Sequence, residues 1–279
     1  MQMNTPFLPI LSGATIQALD QHVCTTEQIS SWQLMEWAAL QAFDALQVRC
    51  GVRPEDHLLF LVGPGNNGGD AVALARICQQ QGFQRVEIAR LSERASPDQE
   101  ENWRFLPAGI PVHKEIESAL PAEDANGARR LVLIDGLFGV GLSRPLEGKA
   151  KAWVEACQQV TARKISLDIP SGLPADTLGH GSCFQAQHTL TFACPKRSLL
   201  YPEHARFVGR LHVLDLPFRA SCWDPFRGDC FYVTRAAVRG LHRYFDRFAH
   251  KGSYGKVLAI GGNEGMEGAL KLTSVGSFT

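Results

Sequence analysis

The chain carries no net charge: 28 lysines and arginines are matched by 28 aspartates and glutamates. Without a basic excess, it lacks the electrostatic footprint by which proteins engage nucleic-acid phosphates or anionic membrane surfaces. No apolar run reaches the roughly 20 residues that a membrane-spanning helix needs. Met1 to Gly13 offers no basic residue ahead of an apolar run, so no secretory signal is expected. C-x-x-C pairs, internal repeats and low-complexity tracts are absent as well. The eight cysteines are Cys24, Cys50, Cys78, Cys157, Cys183, Cys194, Cys222 and Cys230. Several sit in apolar settings, such as LARICQQ around Cys78 and TLTFACP around Cys194. They read as free thiols of a reducing cytosol rather than as a disulfide framework, and a cytoplasmic location is expected.

What is present is a core. A hydrophobic fraction of 45% against 20% charged residues, over 279 residues, suits one large domain or one domain plus a fragment. Residues 30–48 place Leu34, Met35, Ala38, Ala39, Phe43, Ala45 and Leu46 at helical spacing. Short apolar runs at 58–62, 86–91, 131–134, 164–167, 189–193 and 211–214 predict strands, with helices over 70–81 and 149–159 among the segments between them. This alternation implies an α/β fold with a mainly parallel central sheet and helices on both faces, where ligands bind beyond the carboxyl ends of the strands. Residues 218–229, FRASCWDPFRGD, lose any period and predict a linker; a further strand is expected at 257–260.

Three segments concentrate polar chemistry at strand ends. LLFLVGPGNNGGDAVALAR runs from a buried strand through Gly63, Gly65, Gly68 and Gly69 into a helix expected to begin near Asp70. Its glycines permit close backbone approach, and amides ahead of a helix N-terminus suit phosphate. The G-x-G-x-x-G within it is a weak dinucleotide signal, since tight strand-to-helix turns often need glycine for steric reasons alone. The paired Asn66 and Asn67 before Gly68, Gly69 and Asp70 are far less common. In LVLIDGLFGVGLSRP, Asp135 closes a strand and a second glycine loop leads to Arg144, which can pair with phosphate. In ISLDIPSGLPAD, Asp168 again closes a strand. One such aspartate is more often a turn or cap residue, but two beside two glycine loops point to a site.

GPGNNGGD, DGLFGVGLSRP and LDIPSGLPAD resemble, in order, the signature segments of the NAD(P)HX epimerase family, the N-terminal half of the bifunctional bacterial NAD(P)HX repair enzyme. LPILSGATIQALD and SSWQLMEWAA resemble its first helices; HTLTFACPKRSLL and GRLHVLDLP resemble its last strands. The resemblance implies a Rossmann-like three-layer αβα domain over residues 1–217 that interconverts the R and S forms of NADH and NADPH hydrated at C6 of the nicotinamide ring. Carried over by position, Asn66, Asn67, Gly68, Gly69, Asp70, Gly139, Val140, Gly141, Leu142, Ser143, Arg144, Pro145 and Asp168 would line this small-molecule substrate. Asn67, Asp135 and Ser171 would hold a potassium ion, and oxygen donors suit such a hard cation. Ala71 departs from the family's usual glycine.

Epimerising a carbinolamine-type carbon needs a group that gives and recovers a proton, and Asp168 is the candidate. Lys196 matches a family lysine; a surface position or a carboxylate-pairing one are its alternatives. After a linker at 218–230, AHKGSYGKVLAIGGNEGMEGA resembles the opening of the family's ribokinase-like dehydratase domain. Residues 231–279 are thus expected to be an incomplete start of that domain, without dehydratase activity. A homodimer is compatible with this reading; nucleic-acid and membrane partners are not. Two other readings compete. In an NAD(P)-dependent dehydrogenase, the strand ending IARLSER would turn Arg90 toward a 2′-phosphate in place of the usual acidic residue. The same fold also serves as a nonenzymatic interaction module.

Overall fold

The structure is a computed structural model that describes residues 7–120, 130–226, 228–241, 246–250, 252–256 and 258–276. In chain order it runs β1 (Phe7–Pro9), α1 (Gly13–Glu27), α2 (Ser31–Val48), β2 (His57–Val62), α3 (Asn66–Gln80), β3 (Arg85–Arg90), α4 (Pro97–Arg104) and β4 (Val112–His113). There follow α5 (Ile116–Ala119), β5 (Leu131–Gly136), α6 (Gly148–Gln159), β6 (Arg163–Leu167), β7 (His188–Phe192), α7 (Ala205–Val208), β8 (Arg210–Leu214) and β9 (Phe231–Val233).

The six predicted strands all form, and a two-residue edge strand, β4, joins them. The seven-stranded sheet has the order β4-β3-β2-β5-β6-β7-β8, and every pair in it is parallel. Alternation along β2 explains the layers. Leu58, Phe60 and Val62 enter a core with α2 and α3, while Leu59 and Leu61 enter another with Trp153, Val154 and Cys157 of α6. A strand buried on both faces reads as a continuous apolar run, as HLLFLV does. The chain leaves β2 toward β3 on one side and resumes at β5 on the other, so the sheet order reverses between β2 and β5. Such a switch point opens a crevice at the carboxyl ends of the two strands.

Three details differ from expectation. Helix α3 begins at Asn66 rather than near Asp70, so Asn66–Gly69 form its first turn instead of a loop. The predicted linker is packed: Cys222 and Trp223 in a 3-10 turn over Ala220–Phe226 are buried in a cluster with Leu19 and Val23 of α1. Beyond it β9 pairs antiparallel with β1. The first compact unit accordingly extends through Ala237, because the aromatic and thiol side chains of this polar-looking stretch find an apolar partner in α1. The second unit, Val238–Thr279, contains a helix at Gly268–Gly276. No strand forms over Leu258–Ile260, and Val257 lies outside the described residues. A strand needs a ladder partner, and none is offered within this unit among the described residues. All eight cysteines are free, and no helix among the described residues is long and apolar enough to cross a membrane.

Candidate active site

The crevice at the β2/β5 switch point is a cleft of about 930 Å³, in the range of small-molecule sites. Its floor comes from the three predicted segments: Asn66, Asn67 and Asp70 at the start of α3, Leu137 to Leu142 after β5, and Asp168 after β6. Its wall comes from elements with no predicted role, including Ile16, Gln17 and Asp20 of α1 and Leu34, Met35 and Ala38 of α2. Not every expected residue faces it. Gly68 and Gly69 lie beneath: a side chain at Gly68 would meet the Gly63 carbonyl oxygen at 2.1 Å, and one at Gly69 the Met35 side chain at 2.7 Å. Ser143, Arg144 and Pro145 are exposed and do not line the cleft. Ala71 is buried against Gly136, away from the cleft. Arg90 is committed elsewhere, donating to the Ser92 and Glu93 carbonyls at 3.0 and 2.9 Å and lying 4.7 Å over the Trp103 ring.

Asp135, the penultimate residue of β5, is fully buried. Its Oδ1 accepts from Leu137 N at 3.2 Å and Ser171 Oγ at 2.6 Å; its Oδ2 accepts from Ser171 N at 2.8 Å and Ser166 Oγ at 2.9 Å. Burial pushes this carboxyl up from its ordinary range, and the four hydrogen bonds oppose the shift. Asn67 lies beside this network. Its Nδ2 donates to the carbonyls of Phe138 at 2.9 Å and Leu167 at 3.3 Å, and Phe138 N in turn donates to Ser171 Oγ at 2.9 Å. Asn67 Oδ1 is buried and has no hydrogen-bond partner among the described residues. Asn67 and Ser171 thus meet at the Phe138 carbonyl, and Ser171 in turn bonds to Asp135.

One strand over, Asp168 sits in the left-handed region at φ 60°, which non-glycine residues adopt rarely and often at functional sites. Its Oδ1 accepts from Lys196 Nζ at 2.5 Å and from Thr191 Oγ1 at 3.3 Å. Lys196 is 1% exposed and spends its other two protons on Thr191 Oγ1 and the Phe192 carbonyl, at 2.9 and 3.0 Å. It is thus a buried carboxylate partner and no surface residue. Gly139 allows the β5 loop to close over this pair, since a side chain there would lie 3.2 Å from Asp168 Oδ2. Two more carboxyls share the cleft. Burial raises Asp20 to about 6, with Lys196 opposing and Asp168 reinforcing the shift. Burial raises Asp70 well above its usual range, again reinforced by Asp168 and Asp20. Of these three acids Lys196 bonds directly to Asp168 alone, and burial holds the carboxyls of Asp20 and Asp70 above the ordinary range. Asp20 closes LPILSGATIQALD, the segment that resembles the family's first helix, but nothing within that segment marks it as an acid of the site.

Comparison with known proteins matches this frame. The family described as YjeF-related protein N-terminus matches residues 31–198. The bifunctional NAD(P)H-hydrate repair enzyme of Leishmania braziliensis is 29% identical, over 97% of this chain and 48% of its own length. The NAD(P)H-hydrate epimerase of Rhodopirellula baltica is 32% identical, over 75% of this chain and 84% of its own. A crystal structure of the yeast protein YNL200c shares the fold, with a TM-score of 0.58 at 22% identity, covering 68% of this chain and 83% of that one. The chain spans about half the length of the bifunctional relatives it matches. With the family match spanning three motif-bearing strand ends that the fold brings to one cleft, this chain belongs to the YjeF-related N-terminal domain family.

Proposed function

We propose that the first unit is an NAD(P)H-hydrate epimerase, an isomerase that inverts C6 of hydrated NADH and NADPH. The observation that carries the reading is the Asp168–Lys196 pair in a cleft at the sheet's switch point, in a chain akin to proteins named for that activity. The free amides at the start of α3, where Gly65 gives no side-chain cap, suit the pyrophosphate of a dinucleotide. In the reaction, a protonated acid delivers its proton to the C6 hydroxyl; water leaves as the ring nitrogen lone pair forms an iminium. Water then adds to the opposite face and surrenders a proton, so the sum is an inversion with no net change of atoms or electrons. Asp168, paired with Lys196, accepts the proton from the incoming water. Asp70, whose carboxyl burial raises well above the usual range, is the acid on the leaving side. A dehydrogenase reading loses its anchor in Arg90, which bonds to the Ser92 and Glu93 carbonyls and does not line the cleft.

Asn67, Asp135 and Ser171 fit a potassium ion: among the described residues, a buried amide oxygen with no hydrogen-bond partner, a carboxylate in no ion pair, a hydroxyl and nearby carbonyls form an all-oxygen donor set. When bound, the ion would supply positive charge at the floor of the cleft. The second unit, residues 238–279, fits the opening of a dehydratase domain, because relatives named as bifunctional align over 97% of this chain. The test is to incubate one resolved epimer of hydrated NADPH with the protein and follow both epimers by chiral chromatography. Conversion to an equilibrium mixture without change in redox state is expected; an unchanged epimer would defeat the proposal.

A further inference from the structure

The amino-terminal end of the sheet, opposite the cleft, carries a second cluster. His188 opens β7 and His212 lies in β8, where Leu190 pairs with His212 and His188 with Arg210. This register sets the two histidines diagonally on one face of the sheet. Cys50 follows the carboxyl end of α2 and is buried in the core on the same face as Leu190 and Phe192. His188 Nδ1 and His212 Nε2 stand 3.0 Å apart, and one ligating atom from each of Cys50, His188 and His212 lies within 4.8 Å of the others.

We propose that Cys50, His188 and His212 bind a soft, thiophilic d-block cation through one thiolate sulfur and two imidazole nitrogens. The donor set is the first argument, since thiolate with imidazole selects copper(I) or zinc over hard ions. Distance is the second. Two imidazole nitrogens on one metal at roughly 2.0–2.1 Å each are about 3.3 Å apart, so the rings need only turn for both lone pairs to converge. Both rings are half-buried rather than locked in the core. The third argument is charge. The carboxyl end of α2 contributes partial negative charge beside Cys50, favouring a cation. Arg49, Arg163 and Arg210 lie close enough to favour the Cys50 thiolate. Two of them are themselves tied to carbonyls: Arg49 to Val213 at 3.2 Å, and Arg163 to Cys50 and to Gly51, the latter at 3.1 Å. Their positive field disfavours a dication, so copper(I), which makes a neutral unit with one thiolate, should be preferred to zinc. Burial pushes the Cys50 thiol up to about 11 and His212 down to about 4. Burial lowers His188 as well, so both rings favour the neutral, ligating form, and the thiol must release its proton on binding.

The test uses the full chain with its exposed thiol removed, Cys230→Ser, stripped of metal and titrated anaerobically with copper(I) against a chromogenic copper(I) chelator. One copper per chain is expected, with about one proton released per copper at pH 7 in weak buffer. Cys50→Ser should abolish the proton release and weaken binding at least tenfold. His188→Gln, on a half-buried ring and so milder for folding, should also weaken binding at least tenfold while leaving the circular dichroism unchanged. Absence of stoichiometric uptake, or uptake indifferent to both substitutions, would overturn the site. Tighter binding of zinc than of copper(I) by the same residues would overturn the charge argument that selects the ion.

Discussion

The ends of β5 and β6 make an informative pair, because neighbouring parallel strands finish in buried aspartates with opposite surroundings. Asp135 is held by four neutral donors, two hydroxyls and two backbone N–H groups, and no Lys or Arg among the described residues forms an ion pair with it. Asp168 is held by one cation and one hydroxyl, and its second oxygen borders the cleft. The hydrogen-bond pattern tells a structural carboxylate from a reactive one where burial alone does not. Each Asp135 oxygen already accepts two hydrogen bonds, which fixes the loop, and its two serine hydroxyls are the donors that can turn aside for an ion. Asp168 has a countercharge and a spare lone-pair side, which suits moving a proton.

Substituting asparagine at both positions tests that contrast most severely. Asp168→Asn keeps an oxygen toward Lys196 and places the amide nitrogen at the open side; asparagine also tolerates the left-handed backbone. Turnover should fall about 10²–10⁴-fold as the acid–base group is lost, with substrate affinity largely kept. Leaving Lys196 without its countercharge should cost about 3–5 kcal/mol of stability. The double variant Asp168→Asn/Lys196→Met should recover much of that stability and none of the turnover. If the double variant regained activity, Asp168 would be a positioning residue only.

Asp135→Asn should behave in the opposite way. On each side of this carboxylate one hydroxyl can reorient but one backbone N–H cannot: Leu137 N faces Oδ1 and Ser171 N faces Oδ2. An amide group in either orientation therefore points its NH₂ at a fixed donor. We expect a loss of about 2–3 kcal/mol in urea unfolding. Turnover of the folded variant should be largely restored by raising potassium. A variant as stable as the parent, or one inactive at saturating potassium, would erase the distinction between the two strand ends.

How far the sequence foretold these ends depends on the residue. The six principal strands were legible because parallel strands covered on both faces are apolar throughout, as in HLLFLV and HTLTF. Edge strand β4 has only two residues, and the β1/β9 ribbon joins segments more than 200 positions apart, so neither leaves a local signal. The NNGGD turn reads as loop because glycine and asparagine are poor helix formers. Packing overrides this, since Gln99 Nε2 donates to the Gly63 carbonyl at 2.9 Å and the Gly63–Gly68 contact admits no side chain. Asp168 and Asp135 stood out as acids at strand ends. Asp20 did not, because its neighbourhood with Lys196 exists only in three dimensions.

Asp20 offers the gentlest test of the idea that possession of the lysine sorts these acids. Lys196 is committed to Asp168, so Asp20 feels it only at longer range and its carboxyl is raised by burial from 3.8 to about 6. Between those values the folded protein binds a proton that the unfolded chain releases. Stability should therefore fall as pH rises from about 4 to about 6 and level off above, the opposite of a salt-bridged aspartate. Asp20→Asn removes the ionisation and should be more stable than the parent at pH 7, by about 1–2 kcal/mol after allowing for the partial exposure of the group. The gain should shrink steadily toward zero as pH approaches about 4, where both carry a neutral side chain. Urea unfolding of the two proteins at intervals between those limits measures the difference directly. A gain that does not vary with pH would mean that asparagine acts through packing. A loss at pH 7 would mean that Asp20 shares the lysine's charge, and the sorting of acids by that one cation would fail.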